Sequence, residues 1–68
     1  MKWEMYEVWS KDDTGYEHLI KTTKSLKEAS QLAKANVSDE YKCVIVYQET
    51  DDGEQEEIER FVYTMTPN

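Results

Sequence analysis

Cys43 is the only cysteine in the chain and His18 the only histidine. A thiol and an imidazole on different strands could form a nucleophile–base pair, in which the imidazole takes the thiol proton. Such a pair also needs a group to orient the base and donors to hold an oxyanion. The sequence offers no pattern for either. Cys43 opens the most continuous apolar run in the chain, Cys43-Val44-Ile45-Val46-Tyr47, and so reads as a buried, inert thiol. The same two residues fall short of a structural zinc site, which takes about four ligands. No metal, no other cofactor and no enzymatic activity is expected.

Asp12, Asp13, Asp51 and Asp52 raise the question of calcium. A calcium loop alternates its ligands over a fixed stretch and ends in a bidentate glutamate, and neither Asp-Asp pair does so. Each pair precedes a glycine, Gly15 or Gly53, which is turn chemistry: aspartate bonds the local backbone and glycine takes a positive φ. The two glycines stand alone, so neither belongs to a phosphate-cradling loop. The run Asp51-Asp52-Gly53-Glu54-Gln55-Glu56-Glu57-Ile58-Glu59 is densely acidic. It reads first as a solvated hairpin tip, and second as a carboxylate array able to present phosphate-like charge to a basic protein.

A net charge of -7 over 68 residues argues against direct nucleic-acid binding, which needs a basic surface. It equally disfavours an anionic membrane surface. No apolar run approaches membrane-spanning length, and the first residues lack the apolar core of a signal peptide. With one unpaired cysteine, these features predict a cytoplasmic protein, read as complete. A core this small rarely leaves more than about 3–5 kcal/mol of net stability without disulfides, metal or association. Only association is open here.

The elements that would hold these residues follow from local pattern. Lys2 to Ser10 is rich in aromatic and β-branched residues and reads as a strand. Lys11 to Gly15 is a turn, and Tyr16 to Thr23 the returning strand. Ser25-Leu26-Lys27-Glu28 is a capping box, with the Ser25 hydroxyl on the Glu28 amide and the Glu28 carboxylate on the Ser25 amide. It opens a helix through Asn36, whose apolar stripe is Leu26, Ala29, Leu32 and Ala33. Asn36 would stop the helix in the left-handed conformation. Tyr41 to Glu49 reads as a central strand, Asp51-Asp52-Gly53 as a second hairpin turn, and Glu57 to Met65 as the last strand.

The chain is therefore expected to be one α+β domain over residues 1–65 with a tail at 66–68. Two β-hairpins flank one helix (ββαββ). The first and third strands are the most apolar, whereas the second and fourth carry Glu17, Lys21, Glu57, Glu59 and Arg60. Charged strands belong at sheet edges, which predicts the order 2-1-3-4, antiparallel throughout, with a right-handed helical crossover. The order 2-1-4-3 competes. The two Asp-Asp-bearing turns give a faint internal symmetry, weaker than a repeat.

Alternation leaves apolar residues on both faces. Tyr6 and Val8 oppose Trp3, Met5 and Trp9. Val44 and Val46 oppose Tyr41, Cys43, Ile45 and Tyr47. Ile58 and Val62 oppose Phe61, Tyr63 and Met65. One short helix covers only one face of such a sheet, and monomers rarely leave large apolar patches bare. The expectation is a small interaction module of otherwise unspecified role, homodimeric through an interface of Trp3, Met5, Trp9, Tyr47, Phe61 and Tyr63. The alternative is an acidic inhibitor that mimics nucleic acid toward a basic partner. Base stacking on the sheet is disfavoured, since such platforms need basic surroundings.

Overall fold

The computed structural model describes residues 5–39 and 41–64. Its elements run β1 (Met5–Lys11), β2 (Glu17–Thr23), α1 (Leu26–Asn36), β3 (Cys43–Glu49) and β4 (Gln55–Val62). The four strands form one sheet in the order β2-β1-β3-β4, and every neighbouring pair is antiparallel. β2 and β3 therefore run parallel with β1 between them, and α1 is the crossover that joins them. This is the ββαββ arrangement and the strand order that the edge charges predict. Trp3, Glu40, Met65 and the tail lie outside the described residues.

The core sits between α1 and one face of the sheet. Tyr6 and Val8 of β1, Val44 and Val46 of β3, and Ala29 and Ala33 of α1 form the buried cluster, with Ile20, Leu32, Val37, Ile58 and Phe61 packed around it. Two alanines at the helix contact let its backbone lie close to the branched valines, which suits a thin core. Ser10 is the one buried polar residue among those described.

Helix α1 begins as its cap predicts and ends differently. The Glu28 amide donates to the Ser25 hydroxyl at 3.2 Å. The reciprocal half of the box is replaced: the Ser25 amide donates to the Thr23 hydroxyl at 3.2 Å, and the Glu28 carboxylate pairs with Lys21 at 2.6 Å. The ammonium on a neighbouring strand outcompetes a local amide for that carboxylate. At the other end Asn36 is helical and not left-handed, since only the glycines have positive φ among the described residues. Its side-chain amide donates to the Leu32 carbonyl at 2.8 Å, capping an orphan acceptor of the last turn. Leu26, at the first helical position, is 42% exposed, so the buried stripe starts at Ala29.

The two hairpins share one construction. In the first turn the Asp12 amide donates to the Tyr16 carbonyl and the Gly15 amide to the Asp12 carbonyl. In the second, Thr50 does the same with Glu54, and Gly53 with Thr50. Gly15 has φ 87° and Gly53 φ 81°, a region closed to most side chains. Each hairpin then carries one irregularity in the same place. Opposite Val8 and Trp9 the β2 partners step from Lys21 to Leu19, passing over Ile20. Opposite Val46 and Tyr47 the β4 partners step from Glu59 to Glu57, passing over Ile58.

Candidate functional site

The sheet face opposite α1 is built from the residues that alternate with the core. On β1 these are Met5, Glu7, Trp9 and Lys11, between the buried Tyr6, Val8 and Ser10. On β3 they are Cys43, Ile45, Tyr47 and Glu49, and the register sets them directly beside Lys11, Trp9, Glu7 and Met5 respectively. The edge strands extend these rows. Leu19 stands beside Trp9 and Glu17 beside Lys11. Arg60 stands beside Ile45, Val62 beside Cys43 and Glu57 beside Tyr47. The central row across all four strands is thus Leu19, Trp9, Ile45 and Arg60.

That row is apolar in its middle and partly roofed by its own neighbours. Ile45 is 1% exposed, although it is outside the cluster beneath the helix. Side chains lean across the face beside it. The Tyr47 hydroxyl lies 3.4 Å from a Glu17 carboxylate oxygen, yet Tyr47 is in register with Glu7 and Glu17 with Lys11. That offset is four residues of β1, about 13 Å of strand, so the two side chains reach toward each other over the Trp9–Ile45 row. Burial, and then the Glu17 carboxylate, push the Tyr47 phenol above its ordinary pKa. From the other side the Arg60 guanidinium is held by Glu57 at 2.7 and 3.2 Å and lies 3.8 Å from the Cys43 sulfur. Glu7 is fixed as well, accepting from the Trp9 indole at 3.4 Å and from the Gln55 amide.

Of the six residues expected at an interface, Met5, Trp9 and Tyr47 share this face and are half-buried. Phe61 does not join them: it stands beside Val44 and packs against the core. Tyr63 follows β4, with its amide on the Lys42 carbonyl at 2.8 Å, and is 37% exposed. Trp3 lies outside the described residues. Leu19 and Val62, 49% and 57% exposed, were not anticipated on this face. The adjacent apolar pair Leu19-Ile20 was the available signal, because two consecutive strand residues point to opposite sides unless a bulge intervenes.

The residues considered for chemistry are apart. Cys43 is beside Lys11 and His18 beside the next residue, Ser10, so they fall on opposite faces of the sheet. The His18 ring instead lies 4.7 Å from that of Tyr16 and 6.3 Å from that of Tyr41, with Nε2 3.4 Å from an Asp12 oxygen. Asp12 is occupied as a turn residue, accepting from the Thr14 and Tyr16 amides at 2.9 and 3.1 Å. Among the described residues no group of three or more His, Cys, Asp or Glu side chains is placed to hold a metal ion, and no helix is long and apolar enough to cross a membrane.

Charge is segregated along the fold. Residues 49–59, the end of β3, the second turn and most of β4, hold seven acidic and no basic residues. The rest of the chain is balanced, eight against eight. No family model matches the chain, and no curated protein or solved structure matches it.

Proposed function

We propose that the protein is a non-enzymatic interaction module that pairs with a second copy of itself through the sheet face opposite α1. The observation that carries this reading is the pair Leu19 and Trp9, the first 49% exposed and the second half-buried. They stand side by side next to the already buried Ile45, on the side that no helix or strand covers among the described residues. Burying apolar area there contributes roughly 25 cal/mol per Å², against the entropy cost of association. It also answers the thinness of a core lined by two alanines. Pairing through the sheet edges is the poorer route, since both edge strands carry bulges and charged side chains that oppose edge-to-edge addition. A cytoplasmic location is part of this proposal, in keeping with the free Cys43 thiol.

Sedimentation equilibrium of the unmodified chain tests the reading. A dimer mass at tens of micromolar is the expected result, and a clean monomer mass there overturns it.

A second reading rests on the acidic hairpin. Seven carboxylates with no cation among them favour an inhibitor that presents phosphate-like charge to a basic, nucleic-acid-handling protein. Capture of a basic protein from lysate at low salt, lost as salt rises, supports this reading; capture unaffected by salt opposes it.

A further inference from the structure

The outer face carries an arrangement of charge that selects one way for two copies to stack. On β1, Trp9 is flanked on the same face by Glu7 two residues before it and Lys11 two residues after it. Equal spacing with opposite sign makes this strand self-complementary when it is laid antiparallel on a copy of itself. From this we infer that the dimer axis runs across the strands, through the Trp9–Ile45 row, so that Lys11 of each copy faces Glu7 of the other. The inference rests on the face-to-face dimer proposed above and goes beyond it by naming the orientation and the residues that set it.

The geometry supports this in three ways. Stacked sheets lie about 10 Å apart, a gap that Lys11, within electrostatic reach of Glu57 on its own face, closes by turning outward to a Glu7 held on the other copy. Glu7 is already held on the face by the Trp9 indole and the Gln55 amide, so little ordering remains to be done when it meets a cation. The axis also sets Trp9 and Leu19 of each copy against their counterparts, the apolar side chains of the row that keep exposed surface. Arg60 comes opposite its own counterpart, but each is neutralised by its own Glu57 at 2.7 Å. The other two-fold arrangement, with its axis along the strands, sets Lys11 against Cys43 and Glu7 against Tyr47, and leaves both charges facing uncharged side chains. A contact that places like charges together is costly, so the reciprocal pair serves as a register key.

A pair of single charge reversals separates the orientations. Lys11→Glu leaves two acids flanking Trp9, and Glu7→Lys leaves two bases. Each is expected to weaken self-association about tenfold or more, because the two-fold axis repeats the repulsion. An equimolar mixture of the two variants is expected to restore dimerisation to within about threefold of the parent, as a heterodimer in which both pairs are complementary. Both variants remain net acidic, so long-range attraction between them does not drive recovery. Sedimentation equilibrium at physiological salt reads the affinities, native mass spectrometry with one variant isotope-labelled reads the composition, and circular dichroism checks the fold. Should Glu7→Lys unfold, Lys11→Gln and Glu7→Gln replace the reversals: each then weakens the dimer, and the doubly substituted chain weakens it no further. Recovery in the mixture, or non-additivity in the neutral pair, supports the inference. A parent that dimerises while the mixture stays monomeric, or the neutral pair adds, overturns the orientation and leaves the interface standing. A monomeric parent overturns both.

Discussion

Ile20 and Ile58 occupy equivalent places at opposite edges of the sheet: each is the additional residue of a bulge, and each packs against the core beneath α1. A single helix is narrow, and the outer strands of a twisted sheet curve away from it. An extra residue bends an edge strand and turns its side chain inward, which brings an isoleucine in from either flank of the Val8–Val46 centre. Ile20→Ala and Ile58→Ala are each expected to cost about 2 kcal/mol, the low end for such truncations because both are only partly buried. Leu19→Ala, one residue away but outward, should change the stability of the folded monomer by less than about 0.5 kcal/mol. Denaturant unfolding in dilute solution measures all three. A Leu19→Ala cost equal to that of Ile20→Ala would contradict the bulge assignment.

Trp9 and Phe61 are expected to respond in opposite ways to the same substitution. Trp9→Glu places a charge on the open face and should give a folded monomer. Phe61→Glu places it against the core and should unfold the chain, since a carboxylate partly desolvated without a partner, in place of a packed ring, is far more costly than an exposed one. Circular dichroism and sedimentation on both variants check this, and a folded Phe61→Glu chain would remove Phe61 from the helix side.

Ser25→Ala is expected to cost on the order of 1 kcal/mol, because the Glu28 amide loses the hydroxyl that caps it. The denaturation midpoint measures the loss. An unchanged midpoint would mean that this end of α1 contributes nothing to the folded state.

Acid should destabilise the fold, and the sign follows from three carboxylates. Asp12 is held below its ordinary pKa chiefly by the Thr14 hydroxyl, Glu28 by Lys21 and Glu57 by Arg60. Each binds fewer protons folded than unfolded, so its contribution is present above the unfolded value of about 4 and is lost as pH falls through the lower folded value. The melting temperature is expected to be level between about pH 7 and 5 and to drop below about pH 4. Asp12→Asn should flatten part of that decline. Melting temperatures that climb below about pH 4 would reverse the sign and refute the assignment.

At near-physiological salt no measurable binding to duplex or single-stranded DNA is expected, given a net charge of -7. Fluorescence anisotropy with labelled oligonucleotides tests it, and saturable binding that persists as salt rises would overturn it.

Strand order was legible because edge and centre differ in what they touch. β1 and β3 have neighbours on both sides and are rich in Val, Ile, Trp and Tyr, while Glu17, Lys21, Glu57, Glu59 and Arg60 mark the two outer strands. The faces were harder to read. Strict alternation sets Ile58 and Phe61 on opposite sides, yet both pack toward α1 because the bulge shifts the phase between them. Nothing in the local composition announces a bulge, since an added residue leaves no mark on hydrophobicity. That shift removed Phe61 from the expected interface, and the separate bulge at Ile20 in β2 brought Leu19 beside Trp9. The capping box was half legible for another reason: Lys21, on β2 and brought to the start of α1 only when strand and helix fold together, takes the Glu28 carboxylate.

The shared construction of the two hairpins has a kinetic consequence. Each closes around its own glycine-bearing turn, so each can zip within about 1–10 μs without waiting for the rest of the chain. β1 and β3 meet only after the loop that holds β2 and α1 has been drawn in, and that closure must be met before its contacts repay it. The rate-limiting event is therefore expected to be the docking of two preformed halves along the Val8–Val46 pair. Val46→Ala should then slow refolding in stopped-flow experiments, whereas loss of the Ser25 cap should mainly hasten unfolding.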